Sequence, residues 1–292
     1  MTEPFAAADD RTLDGPHGPF GVRVYAPAEP ARVGLVWAHG GGFAGGDLDM
    51  PEADWVARQL ADRGIAVVSV DYALAPVPAG WTMPPAGNTR ERLRYPVASE
   101  EVGFAFTWAV GSGLVAGPWA LGGASAGANL ATGAALRLVH KGGPVPALVA
   151  LAYPTLHAVQ DAPDADLRAL LDADPDADRF GPDVVRRMYE NYLGGSLDAA
   201  DVYAVPGAAT AAQLAGFPSV LMINGEADEL RMSGEAFARS LSAAGVPIEA
   251  VTERGTQHGH LNRPDEAAAS ASIKRIAARL SALSPATEGT PS

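Results

Sequence analysis

Gly123-Ala124-Ser125-Ala126-Gly127 decides how the rest of the chain is read. The pentapeptide fits G-x-S-x-G. It follows a short apolar run at residues 119–121 and opens a helical pattern at 126–140. In that setting the serine sits on a tight strand-to-helix turn with strained backbone. Glycines two residues before and after it let the turn close without side-chain clash. The hydroxyl then projects at the carboxyl edge of a sheet, beside the first N–H groups of the helix. Taken alone, the pentapeptide suits a Gly-rich connector with an N-capping serine equally well, so the surrounding chain has to discriminate.

Outward from the elbow, short apolar runs alternate with amphipathic ones. Residues 33–38, 65–70, 119–121, 148–152, 219–223 and 248–251 have strand length and near-continuous apolar character, as parallel strands covered on both faces require. Helical patterns at 51–62, 98–110, 126–140, 231–244 and 265–283 lie between or after them. This rhythm predicts an α/β fold: a mostly parallel sheet with helices on both faces. Residues 12–25, with Asp14-Gly15 and Gly18-Pro19, read as an antiparallel hairpin. Two stretches break the rhythm. Residues 75–95 carry Pro76, Pro78, Pro84 and Pro85, with Pro96 just beyond, and are long enough for a binding loop. Residues 155–217 begin with an Asp-rich run from Asp161 to Asp178 and contain a helix from about 182 to 193. The run lacks the ligand order, central Gly and terminal Glu of a calcium loop, so it reads as a solvated acidic surface. The expected organisation is a core of 1–154 and 218–284, an inserted lid of 155–217, and a frayed tail at 285–292.

Composition narrows the partners. With 21 Lys+Arg against 34 Asp+Glu, the net charge of −13 argues against nucleic acid and against an anionic membrane surface. There is no cysteine, which excludes disulfides, thiolate metal sites and a thiol nucleophile. No signal peptide and no apolar run of membrane-spanning length is visible, so the expected location is cytoplasmic.

A second motif, His39-Gly40-Gly41-Gly42-Phe43, follows the run 33–38. Three glycines let backbone N–H groups converge on one point, where they can stabilise an oxyanion. A phosphate loop would need Gly-Lys-Ser/Thr. Gly40, Gly42 and Gly45 do fit a dinucleotide fingerprint, but the strand before them is not the first and no helix begins at Gly42. Order along the chain supplies the third signal, since a serine hydrolase of this architecture needs Ser, then acid, then His. Asp228 follows the run 219–223, and His258 lies past the next strand, both on the edge that carries Ser125. His258 is the expected general base and Asp228 its orienting acid, with Glu226 and Glu229 as rivals to Asp228. His258 has to be neutral to act as base. His260 is a lesser candidate, turned away if the segment is extended. Zinc held by His258, His260 and Asp228 would leave the glycine turn and the elbow unexplained, so no metal and no cofactor is expected.

These residues resemble the hormone-sensitive-lipase-like branch of the α/β-hydrolase superfamily, bacterial carboxylesterases in particular. The anchors are His39-Gly40-Gly41-Gly42-Phe43, Asp71-Tyr72-Ala73-Leu74-Ala75-Pro76, Gly123-Ala124-Ser125-Ala126-Gly127-Ala128-Asn129-Leu130, and Asp228 with His258. The resemblance implies a Ser125–His258–Asp228 triad with an oxyanion hole at the amides of Gly41, Gly42 and Ala126. It implies that His39, Tyr72 and Asp71 shape and back the glycine turn, that residues 155–217 cover an acyl pocket, and that dimers form through the last strand. Three departures stand out. Ala124 replaces the usual Asp before the nucleophile and so removes a charge next to the elbow. His260 replaces a Phe. The eleven residues before Thr12 are too few for the family's N-terminal lid helices, so a thinner lid and a more open mouth are expected, with Phe43, Trp81, Met83 and His260 near the substrate. The expected reaction is hydrolysis of small carboxylic esters of short to medium acyl chain through an acyl-enzyme on Ser125. The same triad would also serve lactone or amide hydrolysis or acyl transfer, and the scaffold alone would serve a binding protein.

Overall fold

The computed structural model describes residues 7–82, 90 and 93–283. The chain enters through an antiparallel hairpin of β1 (Ala7–Gly15) and β2 (Gly18–Ala26), turning where Gly18 takes φ 97°. β3 (Val33–Ala38), α1 (Asp54–Ala61), β4 (Ile65–Asp71), α2 (Val97–Gly111), β5 (Trp119–Ala124) and α3 (Ala126–Lys141) follow. After β6 (Val149–Ala152) come α4 (Ala165–Ala173) and α5 (Pro182–Leu193), then β7 (Val220–Ala227), α6 (Arg231–Ala243), β8 (Ile248–Gln257) and α7 (Ala267–Ser281). One sheet runs β1-β2-β4-β3-β5-β6-β7-β8. The pairs from β4 to β8 are parallel, and β2 joins β4 antiparallel. The expected hairpin is therefore longer than residues 12–25, and residues 7–11 are strand rather than lid helix.

Side-chain alternation divides the core into two layers. Val36 and Ala38 of β3, Val68 and Val70 of β4, and Leu121 of β5 face one way, toward α2 and α3. Leu35, Trp37, Val67 and Ala120 face the other way, toward α1 and α7. The inner strands β3, β5 and β6 are thus buried at every position because both faces are covered, whereas β2 largely alternates and β8 is mostly half-buried. Fully burying an aliphatic side chain contributes about 2 kcal/mol, and each of these inner strands is stabilised by burial on both faces.

Residues 155–217 lie between β6 and β7. α5 begins with Pro182 in its first turn, where proline costs no hydrogen bond, and ends at Gly194 with φ 79°. α4 was not expected. It starts inside the Asp-rich run, where the Asp164 carboxylate accepts the Leu167 N–H at 2.8 Å. The rest of the run behaves as an acidic surface: Arg168 pairs with Asp172 and Asp178. This segment lies hard against the core helix α3, because a Cβ built at Gly133 would run into the Tyr203 carbonyl. Met83 and the expected tail lie outside the described residues.

Gly133→Ala should lower the unfolding free energy by about 2 kcal/mol despite the better helix propensity of alanine. Urea unfolding monitored by circular dichroism measures it, and an unchanged midpoint would count against this close approach.

Candidate active site

Three loop positions at the carboxyl edge of the sheet converge. Ser125 connects β5 directly to α3, with φ 53° and ψ −117°. A non-glycine residue there stores strain of about 1–3 kcal/mol, and the surroundings hold it. The Ser125 N–H donates to the Ala152 carbonyl at 2.9 Å. A Cβ at Gly123 would strike the Gly127 backbone, and one at Gly127 would strike the carbonyls of Ala38 and His39. Both glycines are therefore required by close approach, as the motif predicts.

The His258 Nδ1 lies 2.8 Å from Asp228 Oδ2, and its Nε2 lies 2.9 Å from Ser125 Oγ. A carboxylate only accepts, so Nδ1 carries the proton and bare Nε2 accepts from the serine hydroxyl. Asp228 is fully buried, and its other oxygen accepts the Leu230 N–H at 2.9 Å. The rivals are occupied elsewhere. Glu226 accepts the Gly255 N–H at 2.8 Å, and Glu229 accepts the Phe180 N–H. Phe180 in turn packs on the His258 imidazole at 4.5 Å between centroids.

The glycine turn is oriented by its own carbonyls. His39 Nδ1 donates to the Gly40 carbonyl at 2.7 Å, and the Tyr72 hydroxyl donates to the His39 carbonyl at 2.8 Å while its ring stacks on His39 at 4.4 Å. The Gly41 carbonyl accepts from Ala44 and Gly45, each at 3.0 Å. In a trans peptide the N–H points opposite the preceding C=O, so the amides of Gly41 and Gly42 are turned away from these partners. Gly41 and Gly42 hold φ of 120° and 59°. On the open side of Gly42, a Cβ would touch Met188 and Trp81 at 3.4 Å, which places Trp81 beside the turn. Asp71, at the end of β4, pairs with Gly21 across β2 and β4.

Two expected substrate contacts need correction. His260 is fully buried, and its Nε2 bonds Ser272 Oγ of α7 at 2.8 Å, so it faces that helix instead of the mouth. His258 and His260 thus point to different partners and do not converge on a zinc position with Asp228. Phe43 is 1% exposed and stacks on Tyr192 at 4.1 Å and 9°. It supports the turn from below as part of an aromatic wall with Tyr189. Asn129 Nδ2 donates to the Tyr189 hydroxyl at 2.8 Å, and that hydroxyl donates to the Thr155 carbonyl at 3.0 Å, tying α3 to α5.

Sequence reasoning missed Glu52, which stands just before α1. Its buried carboxyl accepts the Gly40 N–H at 2.6 Å, the Tyr153 hydroxyl at 2.6 Å and the Asn262 side-chain amide at 3.1 Å. Gly40 sits so near the nucleophile that a Cβ there would lie 3.0 Å from Ser125 Cβ. The elbow therefore does have a carboxyl neighbour, although Ala124 provides none. Burial pushes the Glu52 carboxyl up, and its three donors pull it back down.

A parallel sheet carrying a serine elbow, then an acid, then a histidine past its last strand defines the α/β-hydrolase class. The chain belongs to the family described as alpha/beta hydrolase fold, whose model matches residues 35–84 and 91–262. Among the relatives, esterase LipI of Mycobacterium tuberculosis (strain ATCC 25618 / H37Rv) is 31% identical over 270 residues, covering 86% of this chain and 74% of that protein. An ethyl acetate hydrolase of Pseudomonas putida is 30% identical over 253 residues, covering 81% and 70%. The solved structure of an esterase from Pyrobaculum calidifontis is similar with a TM-score of 0.80 and 31% identity, covering 97% of this chain and 88% of its own. Relatives named as esterases agree with the hormone-sensitive-lipase-like resemblance. Among the described residues, no helix is long and apolar enough to cross a membrane.

Burial pushes the imidazoles of His39 and His260 down to about 4, with the Arg263 guanidinium adding to the effect at His260. Unfolding returns each to about 6.5. The unfolded chain then binds more protons between these values, so stability falls as pH drops from 6.5 toward 4, by roughly 3 kcal/mol per histidine. The buried carboxyls of Glu52 and Glu101, both pushed up, bend the curve the other way. His260→Gln, which offers a polar group to Ser272, should flatten the pH dependence of urea unfolding between pH 6.5 and 4.5. An identical slope in wild type and variant would show that His260 is not buried neutral.

Proposed function

We propose that this protein is a carboxylic-ester hydrolase acting on small esters of short to medium acyl chain through an acyl-enzyme on Ser125. The observation that carries the reading is the unbroken chain Asp228–His258–Ser125, at 2.8 and 2.9 Å, beside the glycine turn. In this reading His258 Nε2 takes the Ser125 proton as Oγ attacks the ester carbonyl carbon. The oxyanion is received by the amides of Gly41, Gly42 and Ala126, of which each donor is worth about 3–4 kcal/mol in the transition state. Collapse breaks the bond to the alcohol oxygen, which leaves with the proton from Nε2. Water then attacks the acyl-enzyme and gives its proton to the same nitrogen. The second collapse frees the carboxylic acid and returns the proton to Ser125. Asp228 keeps the imidazole in the required tautomer and stabilises its cation.

The core of 1–154 and 218–284 would then supply the chemistry and residues 155–217 the cover of the acyl pocket. The preference for short to medium acyl chains is supported by the name of the Pseudomonas putida relative. The proposal extends to a cytoplasmic enzyme that engages neither nucleic acid nor membrane, in keeping with the net charge of −13. It includes a homodimer joined along β8, the edge strand.

Ser125→Ala should abolish hydrolysis of p-nitrophenyl acetate and butyrate, and Asp228→Asn should reduce kcat by about 10⁴-fold. A fluorophosphonate probe should label wild type and not Ser125→Ala. A purified Ser125→Ala protein with wild-type activity would remove the proposal. Ligand binding without any labelling of wild type would favour a binding protein on this scaffold.

A further inference from the structure

Glu52 is a buried titratable group that the proposed reaction does not use, and it joins segments on either side of the site. Its 2% exposure and five hydrogen bonds make it a junction. The side chain accepts from Gly40, Tyr153 and Asn262. Its backbone carbonyl accepts the Trp37 indole N–H at 2.8 Å, and its N–H donates to Asn262 Oδ1 at 3.2 Å. The contacts with Gly40, Tyr153 and Asn262 each lead toward one component of the site. Gly40 begins the glycine turn and lies against the nucleophile. Tyr153, held at φ 35°, rests edge-on against the His258 ring at 4.9 Å. Asn262 lies four residues after His258, and its own N–H closes the turn onto the Gly259 carbonyl at 2.9 Å.

We propose that Glu52 is a positioning residue of the hydrolysis: its buried carboxyl clamps the oxyanion turn to the histidine loop. The inference rests on the ester-hydrolase reading of the site. Gly40 has no side chain with which to fix itself, and the Glu52 carboxyl takes the place that a Cβ at Gly40 would occupy. The clamp thus fills space as well as satisfying a donor. A buried N–H left without an acceptor would seek another by rotating its peptide, and in this turn a rotated peptide moves the neighbouring amides. The loss should therefore appear where charge develops and not in ground-state binding.

The test compares Glu52→Gln and Glu52→Ala with wild type, using p-nitrophenyl butyrate and the fluorophosphonate probe. Glu52→Ala should lower kcat about 100-fold with KM changed less than about twofold, and Glu52→Gln, which keeps an acceptor for Gly40, should lower it about tenfold. The labelling rate should fall by the same factors, because the probe also develops an oxyanion. Asn262→Ala should not add its full effect to that of Glu52→Ala. Glu249→Gln, at an exposed pairing with Arg279, should leave kcat unchanged. Folded Glu52 variants with wild-type kcat and labelling would overturn the inference. If Glu52→Ala does not fold, Glu52→Gln decides: wild-type kcat in that variant means that Glu52 acts on folding alone. A wild type that is labelled but hydrolyses no ester would sink the ester reading instead, and the labelling rates of the variants would still test the clamp.

Discussion

The close passage of α3's first turn beneath the end of β3 is the constraint from which the site follows. Gly127 meets the carbonyls of Ala38 and His39 with no room for a methyl group. That contact joins nucleophile and oxyanion turn through backbone alone, with no flexible side chain between them. Adjacent parallel strands β3 and β5 set the height of both, with Ala38 opposite Gly123. The positive φ of Ser125 is what this geometry costs. It is held by the Ser125 N–H, which donates to the Ala152 carbonyl, and by the packed backbone around it.

Around that contact the electrostatics are arranged by burial. His39 and His260 are kept neutral by desolvation, one as a donor inside the glycine turn and the other on Ser272. His258 differs in having a buried carboxylate on one nitrogen and a hydroxyl on the other. Of these three imidazoles, His258 is the one bonded to both a carboxylate and a hydroxyl. Partner identity separates them.

Much of this could be read from the chain. Continuous apolar runs located the parallel strands, because a strand covered on both sides has no polar alternation. Pro182 and Gly194 marked α5 at both ends. α4 escaped notice because its cap, Asp164, is one of many aspartates, and a capping residue among like neighbours carries no local signal. His260 was placed at the mouth because its burial depends on α7, a helix whose path over the loop no short motif reveals. Glu52 was invisible for a related reason. After Pro51 it reads as an ordinary first-turn acid, while its partners Tyr153 and Asn262 stand 101 and 210 residues away. Local pattern brings out the serine, histidine and aspartate that the structure joins in one hydrogen-bonded chain. The groups that hold them are set by contacts between distant parts of the chain.

The stitch between Phe180 and Glu229 has an engineering consequence. Phe180 rides on the histidine ring, while its backbone is fastened to the residue next to Asp228. A chimaera that grafts residues 155–217 from another esterase would strand the carboxyl of Glu229 and bare one face of the imidazole. Exchange of this segment as a portable specificity module requires that its anchor in the recipient be transplanted with it.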